Sequence, residues 1–374
     1  MAYGSINADS IVTSVSGGVL GGGNASIMKN RIINGAMVIN QRGFSGAITD
    51  TGATTYTLDR WYAYGTIASK FTVAQSSTAS TGFNNSLLAT SSSAYTVGAG
   101  ELFILGQSIE GYNVADLGWG TASAKTVTLS FQVRSSLTGT FGGSILNSAQ
   151  DRSYPFTYTI SAANTWTTIS VTIAGDTSGT WLTTNGIGLK IYFGLGVGST
   201  YTGTAGAWAS ATYFSATGAT SVVGTSGATF YITGVQLEVG SSATGFEYRQ
   251  YQQELALCQR YYETSYIYGT VAGTVGANGG NFSVVPSNTI AVTQVYNSVS
   301  YIVTKRAIPT LTCYGYSGNS GQVSREDTGA DLGANSGKLW SNTTTVFVFY
   351  NGTGGTLTTN YQNIQYFFTA SAEL

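Results

Sequence analysis

Period-two alternation of apolar and polar residues restricts this chain more than any other feature. Val127, Leu129, Phe131 and Val133 are separated by Thr128, Ser130 and Gln132. Ile169, Val171 and Ile173 enclose Ser170 and Thr172. Ile187, Leu189, Ile191, Phe193, Leu195 and Val197 share one parity, with Gly188, Lys190, Tyr192 and Gly194 between them. Successive side chains of a strand point to opposite faces, so each run turns one face to a core and the other outward. Several such runs, parted by Gly-, Ser- and Asn-rich turns, predict an antiparallel sandwich over 30–245 that closes with the segment 228–239. Strand-like β-branched or aromatic runs resume at 282–285, 290–293, 301–304, 310–314, 346–350 and 365–369. Turns such as Asn278-Gly-Gly, Asn351-Gly and Gly354-Gly separate them. They predict a second, smaller β domain over 266–374. The fold class expected is all-β, and no clear repeat of about 20–50 residues suggests a solenoid or propeller.

One segment breaks the strand pattern. Tyr248, Tyr251, Leu255, Cys258 and Tyr262 follow spacings of 3, 4, 3 and 4, which predicts a short connecting helix over 246–265 with one apolar stripe. Charged residues gather on it: Glu247, Arg249, Glu254, Arg260 and Glu263. Two heptads are too short for an isolated coiled coil. The stripe therefore either docks on a sheet or lies on a three-fold axis between copies of the chain, and both arrangements stay open here.

Composition decides what kind of surface covers these elements. Charged residues make up 8% of the chain, against about 25% in ordinary globular proteins. The apolar share of 42% and aromatic share of 13% are ample for a core, which argues against disorder. The surface is consequently built from hydroxyls, amides, glycine and aromatics. Net charge is −1, so no basic footprint for nucleic acid exists. No run of about 18 apolar residues predicts a membrane-inserting helix, and the opening residues do not follow the basic-then-apolar order of a signal peptide. Residues 1–29, with Gly21-Gly-Gly and little apolar content, are expected to form an extended N-terminal arm. The two cysteines, Cys258 and Cys313, are too few for a disulfide framework and read as free buried thiols. That usage fits assembly in a cytosol.

The chemistry available is narrow. The chain has no histidine, which removes Ser–His–Asp and Cys–His nucleophiles and histidine metal clusters. The glycine-rich stretches lack the Lys-Ser/Thr of a phosphate-binding loop. No cofactor is expected and no local spacing marks a metal site, while calcium held by loop carboxylates and carbonyls stays open. Glycoside hydrolysis needs only two carboxylates and stays formally open; Glu101, Glu110 and Asp116, near Trp119, are its candidates. Several other acids sit in the helix or beside a basic partner, as in Asp59-Arg60 and Asp151-Arg152, and read as solvated or paired surface groups. Aromatics point instead to sugar binding, because Tyr and Trp offer a flat apolar face with a polar edge. Trp61, Tyr62 and Tyr64 form one group. Tyr201, Trp208 and Tyr213 form another, in a Gly/Ala/Ser/Thr-rich stretch expected to be a long exposed loop. With Tyr314 and Tyr316, expected at a domain tip, the second group supplies the glycan-binding candidates. Burial in a core or between subunits is the competing role for each ring.

Several segments resemble a family of tailed-bacteriophage fibre proteins. They begin at 30–42 (Asn-Arg-Ile-Ile-Asn-Gly-Ala-Met-Val-Ile-Asn-Gln-Arg) and 56–61 (Tyr-Thr-Leu-Asp-Arg-Trp). They continue at 106–110 and 127–134 and are densest at 230–240, 243–249 and 254–262, with a last stretch from 304–310 through 370–374. The resemblance implies a jelly-roll sandwich similar to carbohydrate-binding modules, a connecting helix and a β tip domain, in a homotrimer attached to other virion proteins through the N-terminal arm. It implies a tail fibre or receptor-binding protein, structural rather than enzymatic, made in the host cytoplasm and meeting bacterial surface glycan. Alternatives are a head fibre, decoration or neck protein without a receptor role, or a polysaccharide-degrading tailspike. Asp59-Arg60-Trp61 and Gln236-Leu-Glu238 are expected to hold the sandwich together rather than to bind ligand.

Overall fold

The structure, a computed structural model, describes residues 28–49, 52–277, 279–284, 296–326, 328–351 and 363–374, together with the backbone of the short antiparallel pair β1 (Ile11–Val12) and β2 (Val19–Leu20). Most of the N-terminal arm expected over 1–29, the strand expected at 290–293 and the turn at 354–355 lie outside the described residues.

Twelve strands build an antiparallel sandwich: β3 (Ser45–Ala47), β4 (Thr55–Tyr56), β5 (Tyr62–Gly65), β6 (Phe71–Ser76), β7 (Ser86–Ser91), β8 (Leu102–Glu110), β9 (Val127–Ser135), β10 (Gly139–Leu146), β11 (Ser153–Ile160), β12 (Thr167–Ile173), β13 (Ile187–Val197) and, after the small parallel pair β14 (Thr202–Gly203) and β15 (Ser215–Ala216), β16 (Thr229–Val239). One six-stranded sheet runs β11-β10-β13-β8-β5-β4 and the other β12-β9-β16-β7-β6-β3. From β7 onward the chain passes repeatedly between the two sheets, which is jelly-roll connectivity. The alternation seen in the sequence is the packing: Val127, Leu129, Phe131 and Val133 are all buried, facing Phe103, Leu105, Ile191 and Phe193 in one core. Gly234, with φ +61°, sits where the β16–β9 register shifts. A Cβ there would stand 2.6 Å from the Phe83 ring, so glycine serves both the backbone and the ring above it.

The helix α1 spans Tyr251–Gln259, shorter than the 246–265 that its spacing predicts. Hydrogen bonds to other elements claim the flanks. Glu247 N–H donates to Gln236 Oε1 at 2.8 Å. At the other end Tyr262 already belongs to β17 (Tyr262–Thr264), opposite Ser371. The apolar stripe is divided accordingly. Cys258 is fully buried and Leu255 half-buried against Ile33, Ile39 and Tyr261, whereas Tyr248 and Tyr251 are exposed. Within one chain the helix is docked on the irregular segment 32–39 that leads into the sandwich.

The remaining chain forms β18 (Asn281–Val284), β19 (Tyr296–Ser300), β20 (Thr310–Tyr314), β21 (Ser324–Arg325), β22 (Gly337–Asn342), β23 (Val346–Asn351) and β24 (Asn363–Ser371). β24 is the hub, pairing with β17, β18, β20 and β21, while β19, β23 and β22 form a separate sheet. The strand expected at 301–304 instead ends at Ser300. Tyr301 turns inward onto Phe347 in the small core, and its hydroxyl donates to Asn342 Oδ1.

A buried polar network joins the two halves. Arg60 pairs with Glu373 and lies over the Tyr261 ring. Arg42 pairs with Glu373 at 3.0 Å and stacks on Tyr262 at 3.6 Å. Arg260 grips Glu110 at 2.7 and 2.9 Å, and the Tyr261 hydroxyl donates to the same carboxylate at 2.6 Å. Asp59 accepts from the backbone and side chain of Gln41.

Candidate functional site

Each strand of the first sheet has a second parity, turned away from the core. On β8 these positions are Leu102, Ile104, Gly106, Ser108 and Glu110; on β13 they include Lys190 and Tyr192; on β5 they are Tyr62 and Tyr64. Register places Tyr62, Gly106 and Tyr192 side by side across three strands. The glycine makes this possible. A Cβ on Gly106 would come within 2.7 Å of the Tyr192 ring and 2.9 Å of the Tyr62 ring, below any ordinary carbon contact. The two rings close over it edge to face, with centroids 6.2 Å apart. Tyr56 adds to Tyr62 at 5.5 Å, Phe214 to Tyr192 at 5.1 Å and Tyr201 to Phe214 at 5.6 Å.

These rings form an apolar layer outside the main core, and Tyr62, Tyr192, Tyr201 and Phe214 among them line a groove of about 490 Å³. Thr54, Ser108, Gln150, Lys190 and Thr212 supply its polar rim. Among the described residues lining it, no side chain is Asp or Glu. Burial raises the phenol pKa of both Tyr62 and Tyr192, so these hydroxyls stay protonated donors. The same loss of water lowers the Lys190 ammonium pKa. Apolar flat surface plus convergent hydroxyl, amide and ammonium donors suits a polyhydroxylated ring, which stacks by its C–H face and is held by its edges.

The sequence candidates are divided among different places. Tyr201 lines the groove. Trp208 does not: its stretch is bound down rather than an open loop. Ala209 and Ser153 exchange backbone hydrogen bonds, and Trp208 Nε1–H donates to Ala174 O at 2.8 Å. Its ring is half-buried among Trp119, Trp181 and Tyr154. Tyr213 is half-buried and packs on Gly203. Tyr314 and Tyr316 are half-buried against Tyr266, Ala277 and Phe367 in the second half of the chain. The candidate acids are held separately: Glu101 by the Tyr95 hydroxyl, Glu110 by Arg260, Asp116 by Arg31. Asp59, Arg60 and Trp61 are buried, as are Gln236 and Glu238. The floor residues Tyr62, Tyr64 and Tyr192 carry a signal the candidate set did not use: aromatics at the outward parity of strands whose inward parity is core.

No protein-family model matches the chain, and no curated protein matches it. Solved structures similar to it include the enzymatically active domain of bacteriophage CBA120 tailspike protein 4, at 14% identity and TM-score 0.28, covering 57% of this chain and 22% of that one. Others are a family 4 carbohydrate-binding module, at 16% identity and TM-score 0.29, covering 54% and 99%, and the family 11 module of Clostridium thermocellum in complex with a mixed-linked tetrasaccharide, at 12% identity and TM-score 0.27, covering 54% and 98%. The aligned part thus spans under a quarter of the tailspike domain's length. TM-scores this low carry no argument about function, and the jelly-roll assignment stands on the strand order above.

Proposed function

We propose that the protein is a non-enzymatic structural component of a tailed-phage particle, a homotrimeric tail fibre that adheres to bacterial surface glycan through the groove on the first sheet. The observation that carries the glycan reading is the tyrosine floor built over Gly106, rimmed by hydroxyl and amide groups. The lack of an acidic side chain among the described lining residues favours adhesion over hydrolysis, since cleavage of a glycosidic bond uses two flanking carboxylates. The virion role rests on the succession of fibre-like segments in the sequence. Four of them, around Arg42, Arg60, Arg260 and Glu373, meet in the buried network between the halves, which suits an architectural role. The arm at 1–29 would attach to other virion proteins.

The test is direct binding. The intact protein is titrated with surface polysaccharide from candidate hosts, beside Tyr64→Ala and Tyr201→Ala. Tyr64 and Tyr201 are half-buried groove-lining rings, and loss of a stacking ring lowers affinity by about tenfold. Binding that ignores both substitutions rejects the groove. New reducing ends on prolonged incubation would mark a depolymerase instead. Mass in solution distinguishes the trimer from a monomer, and detection of the chain in separated heads and tails places it in the particle.

A further inference from the structure

Among the side chains lining the groove, the charge is one-sided. Lys190 lies on the outward parity of β13, opposite Ser108 of β8 and beside the Tyr62–Tyr192 row. It makes no ion pair with any described residue, whereas the charged side chains nearest the floor are matched: Arg60 pairs with Glu373 and donates to Ser108 O, and Arg260 pairs with Glu110. Lys190 is the one basic side chain among the described residues lining the groove, where it is half-buried with no Asp or Glu side chain beside it. Withdrawing it from water carries a penalty that an opposite charge offsets.

Resting on the glycan reading of the groove, we propose that its ligand is an acidic saccharide, a polymer carrying uronate-type carboxylates, with Lys190 receiving the carboxylate while adjoining sugar rings lie on the tyrosine floor. Ser108, Thr212 and Gln150 line the same groove and can donate to the ring hydroxyls. Lys190 is then the residue that separates acidic from neutral polymers. A neutral ligand would leave the ammonium covered and unpaired, so discrimination comes from the cost of the wrong partner as well as the gain from the right one.

The experiment titrates the intact protein with oligogalacturonate and with a neutral gluco-oligosaccharide of equal length, in low and high salt. Wild type is expected to favour the acidic oligomer and to lose affinity as salt rises. Lys190→Gln should weaken the acidic oligomer by about tenfold to a hundredfold and abolish its preference over the neutral one; Lys190→Arg should retain the preference. An unchanged near-ultraviolet circular dichroism spectrum checks that each variant is folded. Equal affinity for the two oligomers, or an acidic preference that survives Lys190→Gln, overturns the inference while Tyr64→Ala still reports on the groove. Binding of neither oligomer overturns the uronate assignment. Binding of both that Tyr64→Ala does not touch removes the groove reading as well.

Discussion

At the scale of single residues, glycine and cysteine act through what surrounds them. Gly106 is required by the rings on both sides of it rather than by its own backbone. Gly106→Ala should therefore force Tyr62 and Tyr192 apart, destabilising the fold by about 1–3 kcal/mol and weakening glycan binding together with it. Thermal unfolding and ligand titration of the same variant check the two effects. Cys258 and Cys313 are free and buried. Burial raises both thiol pKa values, and the thiolate is the reactive form. A chromogenic disulfide reagent should find no fast-reacting thiol in the native chain and two after denaturation; rapid labelling of the native protein would contradict the buried placement.

Among the elements, α1 shows how neighbours override spacing. Its five-residue stripe satisfies a helical period, yet the helix stops at Gln259 because β24 supplies hydrogen-bond partners to Tyr262–Thr264. The docking of this element adds a pH dependence. The Glu110 carboxyl is buried, which alone would raise its pKa, but hydrogen bonds from Arg260 and Tyr261 and the charge of Arg260 outweigh burial and hold it below its ordinary 4.5. A folded value below the unfolded one means that the contribution is present above 4.5 and is lost as pH falls from there through the lowered value. Urea midpoints should fall across that acid range, and Glu110→Gln should be less stable at neutral pH with a flatter acid limb. Equal acid slopes in the two proteins would exclude Glu110 as the source.

For the whole molecule, the penultimate residue acts as a clamp. Glu373 receives Arg60 and Arg42 from the sandwich, both largely buried. Glu373→Ala leaves Arg60 buried without its carboxylate, a change that destabilises by about 3–5 kcal/mol. Calorimetry should show the sandwich and the C-terminal half melting less cooperatively in this variant; an unchanged melting profile would mean that the clamp does not couple them. Glu373→Asp, which keeps the charge on a shorter reach, should fall between the two.

The sandwich strands were legible because alternation reports a property each strand has alone: one face must be apolar wherever it packs. Val127 through Val133 and Leu189 through Leu195 show it directly, whereas register shifts turn Ile187 and Val197 to the outer face. The C-terminal strands at 310–314, 346–350 and 365–369 were legible instead from their β-branched and aromatic runs, whereas 301–304 was not, since Tyr301 turns inward on Phe347. Trp208, in a stretch without strand pattern, could not reveal from sequence that Trp119, Trp181 and Tyr154 would enclose it.

By itself, then, the sequence determined the all-β class, the sparse charge, the buried thiols and the lack of histidine chemistry, all of which depend on residue type and local period. The groove was decided only by tertiary structure. Tyr62, Gly106 and Tyr192 are far apart along the chain and become one row through the register of three strands. The ammonium of Lys190, the one basic side chain among the described groove-lining residues, is meaningful only once folding has matched Arg60, Arg260 and their carboxylates elsewhere. Local propensity contains neither register nor the pairing of distant charges, because both come from which strands close against which.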